Sequence, residues 1–430
     1  MTLPLSSANE APGTYRKTTL DNGLRIVTEE IPYLQSVSLG IWVRNGSRFE
    51  TPQLNGISHF IEHMLFKGTR RRTAYDIARE IDSVGGGLNA FTSKELTSFY
   101  CRVMGEHLEV AADLLVDIFL NASLPEDEIE REKQVICQEI HQMEDSPEDL
   151  VHEMLGLQFW ANDSLGQPIL GTIPIITQLN RETLIGFKQA AYSPAETVVC
   201  AAGNVGHDRF VDLIEPHLGR IPRGQVLTEP AAPLVEASSQ VVNRDLEQVH
   251  ICLGTTGHSA VDPSRYAGYI LNAILGGGMS SRLFQEVREK SALAYSVYSF
   301  LSSFSNTGLF GIYAGCDRDR AEELVAILRR ETSRLSASMT EEDIRTAKNQ
   351  IKGNMILALE SSETRMNRLA KGEFYFGRHI PLDEIVQALE SVTAEDLSRT
   401  ADQMMNPGHL TAIALGPVSE EDNLFRDFVG

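Results

Sequence analysis

YSPAETVVCAAGNVG, residues 192–206, has a counterpart near the end of the chain in MMNPGHLTAIALGPV, residues 404–418. Pro194 precedes Gly203 by nine residues, and Pro407 precedes Gly416 by the same nine. Upstream, Leu184 and Leu397 are 213 residues apart, the offset that also relates the two prolines and the two glycines. Each segment predicts a helix, a proline turn and a short apolar strand that stops at glycine. The chain therefore reads as one unit written twice.

The starts of the halves correspond as well. VSLGIWVRNGSRFE (37–50) predicts a strand running into a polar turn with a helix after it. VHICLGTTGHSAVDPSRYAGYILNAILGGG (249–278) predicts the same. Between the halves, LGRIPRGQVLTEPAAPLVEASSQ (218–240) holds three prolines and no apolar period, as a linker does. We place one domain at 1–218, the linker at 219–236 and the second domain at 237–430. Strands and helices alternate without a clean parallel βαβ series. LRIVTEE (24–30) and VSLGIWV (37–43) suggest a hairpin-like antiparallel pair. The expected class is α+β: two homologous α/β-layer domains, each an antiparallel-rich sheet with helices on one face. A period near 210 residues is too long for a solenoid, so duplication is the better account.

Composition narrows the function. With 430 residues, 42% of them hydrophobic, the chain is long enough for two to four domains at roughly 100–200 residues each. The formal charge of −21 disfavours nucleic acid and anionic membranes, which attract basic surfaces. It suits a cationic substrate, and it also serves plain solubility. No apolar run reaches the ~20 residues of a membrane span. MTLPLSSANEAPGTYRKTTL (1–20) lacks a basic start followed by an apolar core, and Glu10 interrupts it. A cytoplasmic location is the expectation. Cys101, Cys137, Cys200, Cys252 and Cys316 are far apart, odd in number and form no CxxC, so they predict buried thiols rather than a disulfide framework.

HFIEHMLFKGT (59–69) carries the chemistry. A short apolar helix flanked by glycines is predicted here, with His59 and His63 at i and i+4 on one face and Glu62 beside them. Two imidazoles on one helix face can grip zinc from one side. A carboxylate next to them can take a proton from activated water. The order HxxEH reverses the commoner HExxH. A catalytic zinc wants three protein ligands, so one more is needed. EDEIEREKQVICQEIHQMEDSPEDL (126–150) is a helical pattern with Ile129, Val135, Ile136 and Ile140 as its apolar positions. Glu132 and Glu139, two turns apart, share a face, and periodicity does not choose between them.

On these residues the chain resembles the inverted-zincin metallopeptidases, the group of pitrilysin, insulin-degrading enzyme and mitochondrial processing peptidase. Its length and the wording of HFIEHMLFKGT are most similar to the bacterial single-unit processing-peptidase branch. In that family a glutamate ligand follows the second histidine by about 76 residues, and Glu139 stands 76 beyond His63. The resemblance thus implies one Zn2+ per subunit on His59, His63 and Glu139, with Glu62 as the proton-handling group. Glu132 would orient the site without binding metal. GGLNAFTSKELTSFY (86–100) resembles the family's edge strand, where a substrate peptide adds through main-chain hydrogen bonds at Asn89 and Ala90. RLFQEVREKSALAYSVYS (282–299) resembles its arginine–tyrosine pair, here Arg288 and Tyr295, which would donate to the developing oxyanion. Asp149 and Glu153 match acidic positions that hold a substrate arginine near the cut, implying an arginine preference.

Aligning HFIEHMLFKG with YILNAILGGG (269–278) sets Tyr269, Asn272 and Ala273 opposite His59, Glu62 and His63, and Glu139 falls opposite about Met355. The second domain keeps none of the ligands. Single-chain members enclose peptides in a four-domain clam, so two domains imply half of one. The expectation is a homodimer in which Arg288 and Tyr295 act on the partner's zinc site, with peptides or unfolded leader segments as substrates. The competing reading is a noncatalytic scaffold or core subunit of the same fold. Gly276–Gly278 is no phosphate loop, since no GK[ST] follows.

Overall fold

A computed structural model describes residues 13–405 and 407–426; most of the stretch inspected for a leader lies outside them. Two sheets organise the chain. The first contains β1 (Thr14–Thr19), β2 (Arg25–Glu30), β3 (Ser36–Val43), β4 (Gly87–Thr92), β5 (Thr97–Met104) and β6 (Thr197–Gly203), in the order β1-β2-β6-β3-β5-β4. The second contains β7 (Ser238–Asn243), β8 (Val249–Gly257), β9 (Ala294–Ser303), β10 (Gly308–Cys316) and β11 (Thr411–Gly416), in the order β7-β11-β8-β10-β9. Dropping β1, the two orders superpose strand for strand. Each holds one parallel pair, β2 with β6 and β11 with β7, among antiparallel neighbours.

The repeated segments of the opening are β6 and β11. Every residue of both is buried. A strand buried on both sides reads as a continuous apolar run and belongs in the middle of a sheet. That placement corrects the expected hairpin: β6 lies between β2 and β3, pairing parallel to the first and antiparallel to the second. The sequence pattern marked both strands as extended, but it carried no information on which neighbour each would take.

A second correction concerns the faces. The helices Ile57–Leu65, Leu108–Asn121, Glu126–Asp145 and His207–Leu218 share one core with the first sheet. Its opposite face is also covered, by a helix from the other half. Met366, Leu369 and Ala370 of Ser362–Phe376 pack on Val27, Trp42, Val198 and Cys200. Reciprocally, Val151, Leu155 and Phe159 of Pro147–Phe159 pack on Cys252, Tyr313, Ile413 and Leu415 of the second sheet. Two glycines permit the close approach. A Cβ on Gly40 in β3 would come 3.2 Å from Met366 Sδ, and one on Gly254 in β8 would come 3.0 Å from Leu155 Cδ1. Each large apolar side chain so buried contributes about 1.5–3 kcal/mol, so the exchanged helices fasten the halves together.

A polar lock adds to this. Arg48, with no exposed side-chain surface, pairs with Glu95 at 2.6 Å. Arg48 also donates to Asn306 Oδ1 at 2.7 Å, while Glu95 accepts from Ser305 N and from the Tyr375 hydroxyl at 3.0 Å. The β4–β5 turn is thereby tied to the β9–β10 turn and to the exchanged helix.

Candidate metal centre

The Ile57–Leu65 helix is held by its apolar face and by its start. Ile57, Phe60, Ile61, Met64 and Leu65 are buried. The buried Glu50 carboxylate accepts from the N–H groups of Gly56 (2.7 Å) and Ser58 (2.8 Å), satisfying donors that a helix start leaves open. The remaining face presents His59, Glu62 and His63.

The rings of His59 and His63 lie 4.5 Å apart between centroids. Glu139 Oε2 stands 3.7 Å from Nε2 of each. Donor atoms of the three residues all fall within 4.8 Å of one another. Ligands at ~2.0–2.2 Å around a tetrahedral zinc are about 3.4 Å apart, so this spacing needs only slight closure. Buried Glu139 Oε2 and His59 Nδ1 have no hydrogen-bond partner among the described residues. A carboxylate oxygen left bare beside two imidazoles fits a cation there.

Charge supports the same assignment. Burial, helped by the neighbouring His63, pushes His59 down to about 3, so its ring is neutral and its lone pair available. Burial would also lower His63, but the hydrogen bond it donates to Glu132 and the charges of Glu139, Glu132 and Glu62 outweigh it and hold it above its ordinary value. Glu132 accepts from His63 Nδ1 at 2.9 Å and meets Lys67 Nζ at 2.6 Å. It therefore fixes which ring nitrogen of His63 faces Glu139. Burial raises Glu62 above the usual carboxylate range, partly offset by the hydroxyl of Thr92, which donates to Glu62 Oε2. Lys67 and Thr92 were absent from the sequence reading. Lys67 lies four residues past His63 and was visible in principle; nothing in the sequence marked Thr92.

The inward positions of Glu126–Asp145 are Ile129, Glu132, Ile136 and Ile140. Val135, read as apolar face, is 38% exposed. Glu132 takes an inward place because His63 and Lys67 satisfy its charge.

The other predicted residues distribute as follows. Asn89 and Ala90 lie on β4, the edge strand of the first sheet, three and two residues before Thr92. The Ala90 N–H donates to its neighbour's side chain, Asn89 Oδ1, at 2.8 Å. Arg288 and Tyr295 lie together in the second half. The guanidinium carbon is 4.4 Å from the Tyr295 ring centre, Nη1 donates to the Tyr295 carbonyl at 3.2 Å, and Tyr295 is 79% exposed. Among the described residues, neither makes a hydrogen bond or ion pair with the histidine cluster. Asp149 is exposed in the first turn of its helix, over the Ser146 cap. Glu153 faces Lys94 at 4.0 Å, and burial raises its carboxyl. Its charge already has a cationic neighbour within the chain.

Among the described residues, no helix is long and apolar enough to cross a membrane.

Residues 25–173 match the family profile described as Insulinase (Peptidase family M16), and residues 178–351 match Peptidase M16 inactive domain. The chain is 40% identical over 421 residues to an "Uncharacterized zinc protease" of Streptomyces coelicolor, covering 95% of this chain and 91% of the relative. It is 39% identical over 399 residues to the "Uncharacterized zinc protease YmxG" of Bacillus subtilis, covering 93% and 97%. A solved protease from Helicobacter pylori superposes with a TM-score of 0.86 at 22% identity, over 95% of this chain and all of that one. The two-sheet fold is thus shared with that structure, and by the family profiles and the relatives matched over most of its length the chain belongs to the peptidase M16 family.

Proposed function

We propose that the protein is a zinc-dependent endopeptidase acting on peptides or unfolded leader-like segments. The observation that carries this is the His59, His63 and Glu139 cluster with Glu62 beside it on the edge-strand side. The relatives named zinc proteases support the same reaction class. When bound, Zn2+ would polarise a carbonyl and acidify water. The chain's residues do the rest. Glu132 holds the His63 ring in register. Glu62, anchored by Thr92, takes a proton and returns it to the leaving amine. β4 offers its free edge so that an extended peptide adds as a further strand at Asn89 and Ala90.

We further propose a homodimer in which Arg288 and Tyr295 of one subunit serve the cluster of the other. The support is the exposure of Tyr295, with Arg288 half-buried beside it, and the absence among the described residues of a hydrogen bond or ion pair from either to the cluster of their own chain. Any preference for arginine near the cut would rest on Asp149 more than on Glu153. A cytoplasmic site of action agrees with five free cysteines.

Glu62→Gln should retain zinc and lose peptide hydrolysis; full turnover in that variant would remove the mechanism. For the dimer, Glu62→Gln and Arg288→Ala proteins are mixed after each is shown to be inactive. Exchange of subunits should restore about a quarter of wild-type activity, because half the dimers pair the two variants and each has one intact site. No recovery after verified exchange would rule out action across subunits.

A further inference from the structure

The second half keeps the place of the metal cluster and reverses its charge. The helix Arg265–Leu275 packs on Glu341–Ala358 as Ile57–Leu65 packs on Glu126–Asp145. The exchanged helices also share a register. Ser146 caps one and Ser361 the other, each accepting from the backbone N–H three residues on. Counting from these caps sets Thr364 opposite Asp149 and Arg368 opposite Glu153.

These elements enclose a cleft of about 590 Å³, with Tyr269 and Met355 in its wall. Its lining contains three cations, Arg265, Arg368 and Lys371, and no carboxylate. That is unusual in a chain with 59 acidic and 38 basic residues. Lys371 is exposed and has no ion-pair or hydrogen-bond partner among the described residues. Arg368 donates to the Ile380 carbonyl, while its buried Nε has no partner. The Glu29 carboxylate, whose field reaches Arg368, is bonded to Arg365. Scattered surface cations need no explanation, but three around one concave apolar wall describe a receptor for an anion attached to something apolar.

We propose that this cleft binds a carboxylate carried by an extended peptide, with Arg368 and Lys371 on the anion and Tyr269 and Met355 against the adjoining side chains. Within the peptidase reading it would anchor substrate away from the bond being cut. The choice of a peptide as ligand rests on that reading; the choice of an anion does not.

The test uses full-length zinc-loaded protein carrying Glu62→Gln, so that ligands are not cleaved. Three fluorescent peptides free of other acids share one sequence: a free C-terminus, an amidated C-terminus, and an amidated form with one internal glutamate. Anisotropy should show at least one carboxylate peptide binding about tenfold tighter than the neutral one. Tighter binding of the first assigns the C-terminus, and of the third a side chain. Adding Lys371→Gln, an exposed position that does not threaten folding, should cut the gain severalfold, and Arg368→Gln should abolish it. Equal binding of all three peptides, or a gain that survives both substitutions, overturns the proposal. Hydrolysis is measured separately on the wild type. Absent hydrolysis with carboxylate selectivity intact would remove the peptidase reading and leave the site standing.

Discussion

Glu132→Gln isolates how much the zinc site owes to a residue that does not touch the metal. In the structure one carboxylate oxygen accepts from His63 Nδ1 at 2.9 Å and the other meets Lys67 Nζ at 2.6 Å, in a side chain only 4% exposed. A glutamine has one acceptor for these two donors. If it serves His63, its NH2 group points at the Lys67 ammonium; if it turns to Lys67, His63 loses its anchor. Volume and shape are nearly unchanged, so packing contributes little. Partners of this kind are worth about 10–100-fold in metal affinity, or about 1.4–2.7 kcal/mol. Zinc affinity measured by competition with a chromophoric chelator should fall by that factor. Lys67→Met is the control: it removes the second donor, leaves the His63 contact in place, and should move affinity much less. An unchanged affinity in Glu132→Gln would refute the argument that His63 is oriented through this carboxylate.

Three further outcomes are expected. Thr92→Val removes the hydroxyl that donates to half-buried Glu62, so kcat should drop about tenfold with zinc content unchanged; a drop in bound zinc instead would mean that Thr92 supports the ligands. Glu95→Ala leaves Arg48 buried without its counter-charge, which should cost about 3–5 kcal/mol in urea unfolding; a loss below 1 kcal/mol would show that water reaches the lock. Lys188 is pulled down to about 8 by burial. Below pH 8 both folded and unfolded chains carry its proton and the folded state bears the burial cost. Between about pH 8 and 10.5 only the unfolded chain stays protonated, so stability rises with pH. The stability of wild type relative to Lys188→Met should therefore increase by about 3 kcal/mol across that window, and a flat difference would contradict it.

Much of the site was readable because its chemistry demands fixed residue types at fixed spacing. His59, Glu62 and His63 had to share a helix face. Glu139 was separable from Glu132 only through resemblance to relatives, since both sit on one face of one helix, and the structure shows why each is there: Glu139 beside both imidazoles, Glu132 behind one of them. Thr92 was invisible because its contact with Glu62 crosses from strand to helix, and a threonine in a strand is ordinary. The fold divides in the same way. The repeat declared itself through Pro194–Gly203 and Pro407–Gly416. The insertion of β6 between β2 and β3 did not, because extended segments announce their pattern of burial and not their partners. The exchange of Pro147–Phe159 and Ser362–Phe376 was hidden for a related reason. An apolar stripe such as Val151, Leu155 and Phe159 says that a helix must be covered, but not by which sheet.

That exchange also bears on the metal. The helix that carries Glu139 ends at Asp145, and Ser146 alone separates it from the helix seated on the second sheet. Both the helix of His59 and His63 and, through Ile129, Ile136 and Ile140, the helix of Glu139 are rooted in the core of the first half. All three candidate ligands are thus anchored in the first half, and the helix of one of them is joined through a single residue to the helix seated on the second sheet. The candidate metal centre and the contact between the two halves therefore share one continuous stretch of chain, so a change at that joint is felt at both.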